Sequence, residues 1–251
     1  MAKIVSIHSF RGGTGKSNTT ANLATTIAAT GHRVAVIDTD IQSPGIHVLF
    51  GMAEKPLTYT LNDYLWGNCA IAQAAHDVTP EVVKQANGRV FLIPSSSEAG
   101  DITRVLKEGY DVRLLRNGLR DLVKELNLDY VFVDTHPGLN EETLLSIAIS
   151  NILLVILRPD RQDFQGTVVT VDLARKLRVP KMLAIVNRVL QNSDAEEIRR
   201  QVEAKYEVPV AGVLPNCDEM MQLASSDLFC LQYANHPLTQ VIQQIANQVM
   251  N

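Results

Sequence analysis

Residues 10–17 read Phe-Arg-Gly-Gly-Thr-Gly-Lys-Ser, a glycine-rich turn that ends in Lys16 and Ser17. Such a turn can cradle phosphate, because Gly12, Gly13 and Gly15 accept positive φ and let backbone N–H groups converge on phosphate oxygens. Lys16 would place a point charge between the β- and γ-phosphates of a triphosphate, and the Ser17 hydroxyl suits Mg2+. The common nucleotide loop carries a glycine six positions before its lysine. Here that position is Phe10, and the paired glycines follow a basic residue, Arg11. The loop is therefore a compressed variant of the common pattern.

The elements that must hold this loop are legible around it. An apolar run over 4–8 precedes it and a helical pattern over 16–30 follows, closed by Gly31. Further strand-length apolar runs cover 34–38, 90–93, 130–134, 152–157, 182–186 and 210–214. Most are apolar almost throughout, as strands covered on both faces must be. Helical patterns cover 111–126, 141–150, 165–177 and 194–206, the last opening on Ser193 and Glu196 as a capping box. The alternation predicts an α/β fold: a mostly parallel, twisted sheet of about seven strands with helices on both faces, which with the glycine-rich loop resembles a P-loop NTPase. Without linker or repeat, a single nucleotide-binding domain over 1–251 is expected.

Ligands in such sheets bind at the carboxyl ends of the strands. Two strands end there in acids, at Asp38-Thr-Asp40 and at Asp134-Thr-His-Pro-Gly138. A carboxylate at the end of an apolar strand needs a cation or a hydrogen-bond network in compensation. Both acids fall where a metal and a γ-phosphate would be.

Taken together, the Arg11-to-Ser17 loop, Asp38-x-Asp40 with Gln42, and Asp134-Thr-x-Pro137-Gly138 resemble the ParA/MinD family of deviant Walker ATPases. Asn22-Leu23-Ala24, Asn187-Arg188 and Leu214-Pro215 extend the resemblance over about residues 3–216. It implies ATP and Mg2+ as cofactors and a homodimer when ATP is bound. Dimerisation would switch attachment to a surface, and an adaptor protein would stimulate hydrolysis. The resemblance assigns nucleotide binding to Gly12, Gly13, Thr14, Gly15, Lys16, Ser17 and Asn18. Asn187, with Arg188 beside it, would contact the adenine edge, and the Pro215-Asn216 turn would close over the base. Metal contacts fall to Ser17, to Asp40 in the first switch and, through a water, to Asp134. Residues 135–138 would form the second switch. Catalysis falls to Lys16, to Asp38 as the residue orienting or activating water, and to Arg11.

Arg11 stands where the family has a signature lysine that reaches the partner's phosphates. Arginine keeps the charge but offers a planar fork in place of an ammonium. Carboxysome-positioning members, McdA-like proteins, are similar in lacking that lysine. Arg11 is expected to act in trans.

The 251 residues carry a net charge of -4, so any basic surface must be local. Arg175, Lys176, Arg178, Lys181, Arg199, Arg200 and Lys205 are candidates for non-specific DNA contact, diluted by Asp194, Glu196, Glu197 and Glu203. The segment from Pro237 lacks Lys and Arg, and its Val241, Ile242, Ile245 and Val249 are expected to dock on the body, not in a membrane. Cys69, Cys217 and Cys230 show no paired spacing, which argues against a disulfide framework, a zinc site or an iron-protein-like ATPase. The expected place is the cytoplasm, with nucleoid association. The leading reading is an ATP-switched positioner of plasmid, chromosome or protein organelle. The alternative is a MinD-like regulatory or scaffolding ATPase that acts through proteins without DNA. His136 is read as a variable switch position, and His8 and His47 as structural or surface residues. Residues 51–87 yield only a short helix around Leu61 to Trp66.

Overall fold

The computed structural model describes residues 2–251. Its strands are β1 (Lys3–His8), β2 (Arg33–Asp38), β3 (His76–Asp77), β4 (Arg89–Ile93), β5 (Tyr130–Asp134), β6 (Ile152–Leu157), β7 (Lys181–Val189) and β8 (Val210–Pro215). They form one sheet in the order β3-β4-β2-β5-β1-β6-β7-β8. Every pairing is parallel except that of β3 with β4. The eighth strand, beyond the seven expected, is this two-residue edge strand within the stretch 51–87. Two residues leave no periodicity to read.

Helices α1 (Lys16–Ala28), α2 (Ile46–Leu49), α3 (Leu61–Leu65), α4 (Glu81–Gln85), α5 (Ala99–Glu108) and α6 (Arg113–Glu125) occupy the first half. The second half carries α7 (Glu141–Ala148), α8 (Arg161–Lys176), α9 (Ala195–Tyr206), α10 (Asp218–Leu223), α11 (Phe229–Gln232) and α12 (Pro237–Met250). Alternate strand residues feed opposite layers. Val34 and Val36 of β2 pack with α1 and α12, whereas Ala35 and Ile37 pack with α3 and α6. That two-sided burial is why the strands read as unbroken apolar runs.

Two helix starts differ from the sequence reading. Helix α8 begins four residues before 165, because Asp160 caps it by accepting from the N–H groups of Gln162 and Asp163. Its first turn is polar and so invisible to apolar periodicity. Helix α9 is capped by Asp194, which accepts from Glu196 and Glu197 N–H, and not by the Ser193 box. An aspartate one residue nearer the helix reaches the same donors with a full charge.

The C-terminal helix docks as expected. Ile242, Ile245 and Val249 are buried, and α12 packs on α1 and β8. A Cβ on Gly212 of β8 would meet Ile245 Cδ1 at 2.6 Å, so bare backbone is what admits that side chain. Among the described residues no helix is long and apolar enough to cross a membrane.

Candidate functional site

Strand β1 lies between β5 and β6, and the chain crosses from one side of β1 to the other between those two strands. The crevice of an open sheet forms at such a reversal, and the loop 10–17 leaves β1 there. Gly13 and Gly15 take φ of 74° and 93°, which favour glycine, and Gly15 caps α1. Lys16 is 7% exposed and Thr14 is buried. The loop is braced by its neighbours. Gly138 N–H donates to the Ser9 carbonyl (3.2 Å), and the Ser9 hydroxyl donates to the Arg11 carbonyl (2.6 Å).

Phe10 explains how the loop tolerates a non-glycine at its first position. A Cβ on Gly166 of α8 would stand 2.0 Å from Phe10 Cδ1, so the ring lies against the bare backbone of that helix. The space lost by replacing a loop glycine is returned by a helix glycine.

Asp38 and Asp134 are register partners at the ends of β2 and β5, each 1% exposed. Asp38 accepts from the N–H groups of Asp40 (3.0 Å) and Gly45 (3.3 Å). Its carboxyl is pushed well above the usual range, first by burial and then by the Asp134 charge. Asp134 is raised to about 6 by burial, although Ser17, Lys16 and Thr20 all pull it down. The Thr20 hydroxyl is shared between the Lys16 carbonyl (3.0 Å) and Asp134 Oδ1 (3.2 Å). Two buried carboxylates that resist ionising beside one lysine and a serine hydroxyl are a donor set short of positive charge. A hard divalent cation fits it.

Asp40 accepts from the Ser43 hydroxyl (3.1 Å), and its Oδ1 lies 3.0 Å from His136 Nδ1. His136 thus ties the segment after β2 to the segment after β5. His8 is buried in β1 and held to about 3, by burial first and Lys16 next. Because the Thr135 hydroxyl donates to the Ile7 carbonyl (2.9 Å), His8 Nδ1 is the donor in its 2.9 Å contact with that hydroxyl. His8 is a neutral structural residue, and so is the buried His47.

Beside the loop opens a cavity of about 660 Å3, within the range of small-molecule sites. Gly15, Asn18, Asn187, Arg188, Pro215 and Asn216 all line it, so the base-side candidates converge. A register shift between β7 and β8 after Val186 turns Asn187 toward the loop, where its Nδ2 donates to the Thr14 carbonyl (2.7 Å). Its Oδ1 accepts from Arg188 N–H (2.8 Å). Leu190, Ile198 and Met221 give the mouth an apolar rim. Asp160 and Arg158 also line the cavity, and both were missed because they lie in the short polar turn between β6 and α8. The spacing Pro159-Asp160-x-x-Asp163 was the available signal.

Residues 5–228 match the CobQ/CobB/MinD/ParA nucleotide binding domain. The chain belongs to that family. Its members bind ATP with Mg2+. An uncharacterized ATP-binding protein of Methanocaldococcus jannaschii is 31% identical over 251 residues, covering 100% of this chain and 88% of that protein. MinD of Pyrococcus horikoshii OT3, solved with Mg-ADP, superposes with a TM-score of 0.81 at 21% identity, over 99% of this chain and 96% of that one. Cyanthece apo McdA superposes with a TM-score of 0.76 at 20% identity, over 99% and 98% of the two chains. These solved structures share the fold, and the family's nucleotide domain spans both sides of the crevice described above.

The surface charges divide into two groups. Arg175 is held by the Tyr206 carbonyl, Asp172 and Glu207; Arg199 by the Val210 carbonyl, Glu196 and Glu203; Arg200 by Glu197; and Lys181 by the Gln248 carbonyl. Lys176, Arg178 and Lys205 are exposed and carry no ion pair among the described residues, Lys205 lying 5.3 Å over the Phe164 ring. Cys217, Glu219 and His236 bring ligand atoms within 4.8 Å of one another. His236 Nδ1, however, accepts from Leu238 N–H, so the neutral ring carries its proton on Nε2, toward Glu219. His236 caps α12, Cys217 donates to Glu219 at the start of α10 (3.2 Å), and the three cysteines are free.

Proposed function

We propose that this chain is an ATP-switched, Mg2+-dependent ATPase that positions or partitions cellular cargo. With ATP, two copies close on sandwiched nucleotide, the dimer binds non-specific DNA of the nucleoid, and an adaptor protein stimulates hydrolysis and release. The observation that carries the reading is the pair of buried carboxylates, Asp38 and Asp134, adjacent at one sheet edge, with Asp134 beside Lys16 and Ser17. Charge-starved sites of this kind are stabilised by a metal-bound triphosphate.

In this reading Gly12 to Asn18 hold the phosphates through backbone N–H groups, Lys16 and the start of α1. Ser17, Asp40 and Asp134 would hold Mg2+, which supplies neutralisation of phosphate charge. Asp38 orients or activates the attacking water. Arg11, 37% exposed beside the loop, reaches the phosphates of the partner copy. Asn187 supports the loop and lines the base cavity with Arg188, Pro215 and Asn216.

The intrachain pairing of Arg175, Arg199 and Arg200 favours a second reading, a regulatory or scaffolding ATPase that docks on proteins. Binding of the Asp38→Ala protein to random-sequence duplex DNA, with ATP against ADP across a salt series, separates the two. ATP-only binding that fades with salt and is lost in Lys176→Glu with Arg178→Glu supports the positioner. A dimer that forms with ATP but binds no DNA in either state supports the second reading.

A further inference from the structure

Phe10 and Arg11 both lie against the start of α8. With the Phe10 ring on Gly166, Arg11 Nη1 is 3.5 Å from Asp160 Oδ1 and 3.7 Å from Asp163 Oδ1. Arg158 approaches the same carboxylates from the other side. Its Nη2 is 3.0 Å from Asp160 Oδ2 and its Nε 3.4 Å from Asp163 Oδ2. Two arginines therefore share two carboxylates, next to both the phosphate loop and the cavity.

The carboxylates are not equivalent. Asp160 is 41% exposed and already occupied as the cap of α8. Asp163 is 2% exposed, and its Oδ2 accepts from Arg158 N–H (2.9 Å). Its Oδ1 is buried without a hydrogen-bond partner and lies on the side of Arg11. An unsatisfied buried carboxylate oxygen is costly, and an adjacent guanidinium offsets that cost without a formal hydrogen bond. Arg11 is long and forked, so it can serve this carboxylate or a phosphate, but one fork cannot hold both.

We propose that Asp163, with Asp160, is the positioning pair for Arg11: it stores the guanidinium on its own subunit, and closure of the ATP dimer exchanges these carboxylates for phosphate oxygens. The exchange rests on the trans role given to Arg11 under Proposed function. It makes dimer closure a competition between two anions for one cation. Weakening the stored state favours the dimer.

Two measurements test this. The first uses nucleotide-free protein and urea unfolding of Asp163→Asn, Arg11→Ala and the double variant. Asparagine keeps an acceptor for Arg158 N–H and removes the charge. The unfolding constants are expected to be non-additive by about two- to tenfold, the size of an ion pair with one exposed partner. Additive effects would overturn the storage of Arg11 by Asp163. The second is sedimentation with Mg2+ and a non-hydrolysable ATP analogue. Asp163→Asn and Asp160→Asn are expected to tighten the dimer by about two- to tenfold, because Arg11 starts free. A merely structural Asp163 would loosen the dimer or leave it unchanged, and either result would overturn the exchange. If the wild-type protein stays monomeric with the analogue, the dimer reading itself fails, while coupling in the first measurement still identifies the pair within one chain.

Discussion

Replacing Asp134 by asparagine should make the nucleotide-free protein more stable while removing much of its response to Mg-ATP. Asp134 ends β5 at 1% exposure, beside the equally buried Asp38. Burial raises its carboxyl to about 6 from 3.8, against the pull of Ser17, Lys16 and Thr20. The folded chain thus holds this proton more tightly than the unfolded chain does. Stability from this group is complete below about pH 4 and is lost as pH rises through about 6. The difference corresponds to about 3 kcal/mol. Asparagine is neutral at every pH, and its Oδ1 can still accept from the Thr20 and Ser17 hydroxyls. At pH 8 the variant should gain up to about 3 kcal/mol, which in a chain of this size raises the melting temperature by about 6–12 °C. Mg-ATP at a hundred times its dissociation constant should add about 2.7 kcal/mol to the wild-type protein. The variant, lacking one carboxylate for the metal, should gain clearly less, so the order of stability narrows or reverses. Thermal melts from pH 5 to 8.5, with and without Mg-ATP, read both effects. An Asp134→Asn protein that melts at or below the wild type at pH 8, with the same pH slope, would refute the reasoning.

Two further outcomes follow from packing. Gly166→Ala would push a Cβ to within 2.0 Å of Phe10, so the ring and the loop must move. A loss of about 1–3 kcal/mol in stability is expected, with weaker nucleotide binding, and Phe10→Ala should restore much of both; melting and nucleotide titration check this. Ile245→Ala empties a fully buried position where α12 meets Gly212. It should cost about 2–5 kcal/mol in urea unfolding, whereas an unchanged midpoint would mean that the helix is not docked on the body.

The sheet and the phosphate loop were legible because their signals are local. Each strand announces itself as one short apolar run, and Gly12 to Ser17 need only adjacent residues to announce their chemistry. Asp38 and Asp134 were legible as strand ends, although their pairing in register is a product of the topology, which places β5 between β1 and β2. What was not legible depends on distant partners. Helix α5 carries only Ile102, Val105 and Leu106 at helical spacing and buries only Val105, a stripe short enough to pass for a loop. Helices α2 and α4 are four and five residues long, too short for a periodic signal, whereas the equally short α3 was legible around Leu61 to Trp66 and opens on a local Thr60–Asp63 capping box. The contact of Arg11 with Asp160 and Asp163 joins residues about 150 apart, and the loop alone gives no hint of it.

In the proposed function, ATP bound at this loop, and not ADP, joins two copies through a site that Asp38 later discharges. Sedimentation of Asp38→Ala with Mg-ATP and with Mg-ADP, alongside phosphate release from wild type and variant, tests it most directly. The account requires a dimer with ATP only, a wild-type protein that releases phosphate slowly, and a variant that releases none above background. A variant that is monomeric with both nucleotides, or that turns over ATP at the wild-type rate, would contradict it.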